Sequence, residues 1–157
     1  MKCYLRGYNG QGFGSDFIKR FTFGSYSHVS LVFDMGNGRV EEIEALQGKG
    51  VVRHAPNSAD EFVFDEMMVP LTQEQVLEAH ECAGSLVGDG YDWLGVFGFI
   101  RRKKMHNPDK WFCSELCAYV LYKCGYPLSR RDPYRETPTT CMESMRVFPP
   151  AVPMGGA

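Results

Sequence analysis

Polar and apolar residues alternate with a period of two along much of the first 70 positions, then recur with a helical period in two longer stretches. "KCYLRGY" (2–8) reads as a first strand. "SHVSLVF" and "VEEIEAL" are β-rich runs on either side of "DMGNGR", whose glycines and asparagine signal a hairpin turn. "GVVRH" and "EFVFDEMMV" add two further strands, so the pattern predicts an antiparallel sheet of about five members. Between the first strand and the hairpin, "SDFIKRF" reads as a short helix capped by Ser15 or Asp16, with Phe17, Ile18 and Phe21 on its apolar side.

The helical period begins in "LTQEQVLEAHECAGSLVG", where Val76, Ala79, Ala83, Leu86 and Val87 recur at helix spacing. Thr72 with Gln75 makes a capping box, and Gly88 stands where a C′ glycine belongs. "GDGYDWLGVFGFI" is apolar but broken by glycine, a short helix or a packed loop, and "RRKKMHNPDK" after it is a polar loop. A second helix is predicted from Phe112 to Cys124, closed by Gly125 and Pro127. A short last helix takes Thr137 as N-cap and Pro138 as its first residue. The pattern amounts to an α+β fold, an antiparallel sheet packed against helices, in one domain over 1–157. The closing "PPAVPMGGA" (149–157) is expected to be a flexible tail.

Composition narrows this picture without redirecting it. A chain of 157 residues, 44% apolar and 23% charged, is large enough to bury a core without disulfides or metal. The six cysteines form no C-x-x-C unit, so reduced thiols in a cytoplasm-like compartment are expected. "MKCYLRGYNG" lacks the apolar core of a signal peptide, and no apolar run approaches the roughly 18 residues of a membrane span. The expectation is therefore a soluble chain without an export signal or transmembrane segment. Net charge is −2, and the basic clusters Arg101, Arg102, Lys103, Lys104 and Arg130, Arg131 stand without an aromatic reader motif, so no nucleic-acid partner is expected.

The chemistry concentrates in "WFCSELCAYVL" (111–121). Cys113, Leu116, Cys117, Val120, Leu121 and Cys124 lie on one helical stripe, and Cys117 and Cys124 read as small core hydrophobes. Cys113 differs because it falls in the first turn, where unpaired N–H groups and the helix dipole favour an anion. A thiolate stabilised in that way is a usable nucleophile if a base stands nearby. Zinc would need further ligands brought to Cys113 and Cys117 without any paired-ligand motif, so neither metal nor cofactor is expected.

Four histidines compete for the role of base. His80 lies on the helix stripe near Val76 and Ala83, His106 in the basic loop, and His54 at a strand end before Pro56, a rim position. His28 opens a strand directly after "GSYS", where a sheet end can hold an imidazole firmly. A hairpin loop centred on Gly36 would pair numbers that add to 72 and set His28 opposite Glu44, a carboxylate able to orient the ring. A tighter turn on Asn37–Gly38 would present Gln47 instead.

"YSHVSLVF", "VEEIEAL" with "GKGVV", "YDWLG" and "WFCSEL" resemble the permuted branch of the papain-like NlpC superfamily, the YiiX/YaeF-type cysteine amidases and peptidases, over residues 15 to 146. The resemblance implies a circularly permuted papain-like fold, in which the strands carrying the base precede the nucleophile helix. It implies Cys113 as nucleophile, His28 as general base and acid, and Glu44 as the group orienting His28. It also implies that Tyr91 lines the site or assists the oxyanion; a packed aromatic remains the alternative. Ser114 and Glu115 belong to the matched stretch without needing a chemical role. The implied activity is a thiol hydrolase forming an acyl-enzyme on peptide amides, with those of cell walls among the substrates the resemblance suggests. Lecithin:retinol acyltransferase relatives share the permuted order, so a lipid acyltransferase or thioesterase acting on acyl esters is an alternative, as is a binding module with an idle triad.

Overall fold

The computed structural model describes residues 1–10, 24–56, 63–92 and 109–147. The short helix expected in "SDFIKRF", the segment from Trp93 through the basic run and His106, and the closing tail lie outside the described residues. The described elements are five strands, β1 (Lys2–Tyr8), β2 (His28–Asp34), β3 (Val40–Leu46), β4 (Gly50–His54) and β5 (Val63–Val69), then helix α1 (Gln73–Ser85). Two short strands follow, β6 (Gly90–Tyr91) and β7 (Lys110–Trp111), then α2 (Cys113–Lys123), a 3-10 turn (Pro133–Arg135) and α3 (Pro138–Val147). The first five strands form one antiparallel sheet in the order β4-β3-β2-β1-β5.

The hairpin register departs from the expectation. Met35 and Arg39 are already joined by backbone hydrogen bonding at 2.9 Å, which leaves a three-residue loop, Gly36, Asn37 and Gly38, all at positive φ. The loop centre is therefore Asn37, and Leu31 meets Ile43 while Phe33 meets Glu41, pairs whose numbers add to 74. Gln47 could face His28 only with an odd sum, which would turn one strand over, so the structure rules out that alternative.

Even numbers pair with even numbers across β1, β2, β3 and β4, so each face of the sheet has one parity. Leu5, Val29, Leu31, Phe33, Ile43, Ala45 and Val51 share the odd face and join a core with Val76, Ala79 and Ala83 of α1 and Leu116, Cys117, Val120 and Leu121 of α2. Burying a side chain of this size is worth about 1.5–3 kcal/mol, so this face and the two helices hold each other. The even face carries buried polar residues: Arg6, Ser30, Glu42 and Glu44 are each less than a tenth exposed.

The helix ends follow their local chemistry. Thr72 Oγ1 accepts from Gln75 N at 3.2 Å and Thr72 N donates to Gln75 Oε1 at 3.0 Å, completing the capping box. At the other end, Leu86 is the C-cap, Gly88 lies two places past it with its N–H given to the Val51 carbonyl, and Val87 is outside the helix and exposed. In α2, Tyr126 N reaches the Leu121 carbonyl at 2.8 Å and Gly125 N the Tyr122 carbonyl at 3.1 Å, a Schellman ending that fixes where the helix stops. Thr137 Oγ1 accepts from Thr140 N at 3.1 Å and so caps α3 as expected.

Candidate active site

Cys113 is the first residue of α2, separated from the β7 strand only by the N-cap Phe112, and β7 runs parallel to β6 with Tyr91 opposite Trp111. That two-strand pair is tied to the main sheet, because Val51 N donates to the Asp89 carbonyl at 2.8 Å and Gly88 N to the Val51 carbonyl at 3.0 Å. Trp111 Nε1 adds a bond to Asp89 Oδ2 at 2.8 Å. The start of α2 is thus held against the sheet from the N-terminal side, while Ser114 Oγ donates to the Glu136 carbonyl at 2.5 Å from the other. Glu115 is buried in the first turn, where its charge suits the helix dipole.

His28 is the first residue of β2, opposite Tyr8 of β1, whose ring tilts against the imidazole at 5.3 Å between centroids. Its Nε2 lies 2.5 Å from Glu44 Oε2. The Cys113 thiol lies in the surroundings of the same imidazole, close enough to act on its charge. Burial works against a charge on this ring, but the sulfur of Cys113 and the bonds to Cys113 and Glu44 outweigh it, raising the His28 pKa to about 10. The base, the carboxylate and the sulfur expected from sequence are therefore brought together.

No protein-family model and no curated protein matches the chain. The site stands on its geometry alone.

Glu44 is 6% exposed, and burial pushes its carboxyl toward neutrality. Hydrogen bonds and charge from His28 and His54 overcome this and hold it below the usual carboxylate range. The second of these histidines is where sequence reasoning fell short. His54, expected as a rim residue, gives Nε2 to Glu44 Oε1 at 2.6 Å and Nδ1 to the Ala55 carbonyl at 2.9 Å. It falls opposite Glu42 on β4 and reaches Glu44 diagonally. The one available signal was parity: with "GKG" as the β3–β4 turn, His54 and Glu44 share a face.

The remaining candidates divide cleanly. His80 Nε2 meets Glu41 Oε2 at 2.7 Å and packs edge-on against Phe33, a satisfied histidine on the odd face. Tyr91 lies edge-on to Phe112 at 6.0 Å and close enough to Cys113 to feel its charge; burial first, then Cys113 and Asp92, keep its hydroxyl protonated far into alkaline pH. Cys117 and Cys141 are fully buried and, chiefly by burial, their thiols are pushed well up. Burial also pushes Cys124 up to about 11. Among the described residues no group of three or more His, Cys, Asp or Glu is placed to hold a metal ion, and no helix is long and apolar enough to cross a membrane.

Beside this site lies a second buried polar cluster. Glu42 accepts from Tyr8 OH and from Ser30 Oγ, the latter at 2.5 Å, and pairs with Arg6 at 3.3 Å, while Arg6 is held by Glu66 at 2.6 Å. Tyr8 belongs to both clusters, since its hydroxyl is fixed by Glu42 and its ring walls His28.

Proposed function

We propose that this protein is a thiol hydrolase of the amidase or peptidase type, built as a permuted papain-like domain and acting by acyl transfer through Cys113, His28 and Glu44. The observation that carries the reading is the position of His28, bonded through Nε2 to Glu44 and turned toward Cys113 at the start of α2. A cysteine, an imidazole and an orienting carboxylate in that order make up a nucleophile, its base and the base's holder.

In this reading the Cys113 thiolate attacks an amide carbonyl carbon, forming a C–S bond as the carbonyl π electrons move to oxygen. The backbone N–H of Cys113, at the start of α2, faces the developing oxyanion, and the protonated Tyr91 hydroxyl is a second candidate donor. Collapse of the adduct breaks the C–N bond, and imidazolium His28 gives its proton to the leaving amine. Neutral His28 then takes a proton from water, whose oxygen attacks the thioester carbonyl. The thiolate leaves with the carboxylic acid released, and His28 is again imidazolium. Glu44 holds the ring and its charge throughout.

The test is mass spectrometry of the Cys113 peptide after incubation with peptide amides and, in parallel, lipid esters. An acyl mass on Cys113 that is absent in Cys113→Ala and lost or strongly reduced in His28→Ala supports the reading, and the arm that acylates names the substrate class. If native Cys113 reacts with iodoacetamide no faster than Cys117 or Cys124, the reading is withdrawn.

A further inference from the structure

Glu44 gives one carboxylate oxygen to each of two rings, Oε2 to His28 and Oε1 to His54. The second contact is more than a rim salt bridge, because the acceptors around His54 fix its protonation. A backbone carbonyl can only accept, so Nδ1 facing the Ala55 oxygen carries hydrogen; an ionised carboxylate can only accept, so Nε2 facing Glu44 carries hydrogen too. A ring donating from both nitrogens is an imidazolium.

The geometry points to His54 as a fourth member of the site, a positioning residue that holds Glu44 as an imidazolium and competes with His28 for the same carboxylate. This rests on the thiol hydrolase reading of Cys113 and His28. His54 is the more exposed of the two rings, its side chain 39% open against 20% for His28, so it exchanges protons with solvent more readily. When His54 is charged, Glu44 is shared between two cations. When it loses its proton, the carboxylate charge falls to His28 undivided, and the imidazolium beside the Cys113 thiolate is held more firmly. The other ionisable groups bearing on this pair are Glu42 opposite His54, Tyr8 against His28, Cys113 next to His28, and Cys117 near Glu44. Of these, Glu42 favours the charged form of His54, so its carboxylate adds to the hold that Glu44 has on the ring.

Two measurements on the full chain decide this. NMR titration of the ring C–H signals follows His54 in native protein and in His28→Gln. Removing the competing cation raises the His54 midpoint by about half to one pH unit. Carboxamidomethylation of Cys113 across pH, read by peptide mass, changes about twofold or more through that midpoint in native protein, and His54→Gln abolishes the step. A His54 midpoint unmoved within about 0.2 unit in His28→Gln, or a step that persists in His54→Gln, overturns the proposal. If Cys113 proves no more reactive than Cys117, the hydrolase reading fails by itself, and the NMR titration still decides whether the two rings share Glu44.

Discussion

Glu44 reaches His28 along the diagonal of the β2–β3 ladder, two residues from the position opposite it. The same register carried on to Glu44 sets it across from Ser30, and parity, more than direct pairing, puts carboxylate and imidazole on one face. Diagonal neighbours on a sheet are within reach of long side chains, and a glutamate is long enough to close the gap.

That contact makes Glu44 replaceable in shape but not in charge. Glu44→Gln keeps a group able to bond the ring and removes the carboxylate that stabilises imidazolium. A charge-assisted hydrogen bond is worth about 1.5–3 kcal/mol, so the rate of Cys113 acylation falls by roughly 10- to 150-fold. The His28 midpoint also moves down toward 6.5, and single-turnover acylation with a parallel NMR titration reads both.

Selective alkylation separates burial from chemistry. Cys113, Cys117 and Cys141 have no exposed surface, so access is equally poor for all three, and of the three only Cys113 acts on the charge of His28. Iodoacetamide at neutral pH labels Cys113 first by at least tenfold, and His28→Ala removes that preference; quantitative peptide mapping against time is the check.

The ionisation of His28 sets a pH limit on both activity and stability. Its folded pKa, about 10, lies above the ordinary 6.5, so its stabilising contribution is fully present below about 6.5 and is lost as pH rises through about 10. Glu44 shifts the other way: its contribution is present above the ordinary 4.5 and is lost as pH falls through its lowered folded value. Activity keeps the imidazolium needed to protonate the leaving group until pH nears 10, and a basic limb near 6.5 in the rate profile would contradict this.

The Glu42 cluster is a stability device with a measurable cost of removal. Glu42→Ala removes the acceptor shared by the Tyr8 and Ser30 hydroxyls and by Arg6, a loss of about 2–4 kcal/mol in urea unfolding. Glu66 still pairs with Arg6, which keeps the loss below that of a wholly orphaned charge. Because Tyr8 also walls His28, the same variant slows Cys113 alkylation.

Two glycines separate backbone strain from crowding. Gly50 sits at φ +78°, and a Cβ there would come within 2.1 Å of the Asp89 carbonyl oxygen, where β4 meets the segment leading to Tyr91. Gly36 has φ +80° and open space around it. Gly36→Ala costs about 1 kcal/mol of stability, and Gly50→Ala more than about 2 kcal/mol, with a shift in the Trp111 fluorescence that Gly36→Ala lacks.

The sequence by itself determined the strands, the capped helices and the places of the candidate groups Cys113, His28 and Glu44 on them, because each is written in local chemistry. Strand alternation, the Thr72–Gln75 box and the first-turn place of Cys113 depend on residues a few positions apart, and the elements fall where that chemistry puts them. Tertiary structure decided what depends on the path of the chain between elements. The positive-φ loop centred on Asn37 set the register, and so the diagonal by which Glu44 meets His28. The short pairing of Gly90–Tyr91 with Lys110–Trp111 is only two residues long, too brief for any periodicity, yet it braces the start of α2. The second hold on Glu44 came from His54, two strands from His28, because a β3–β4 turn returned it to the same face. A carboxylate's choice of partners is a matter of distances across a sheet, and those distances exist only once every register is fixed.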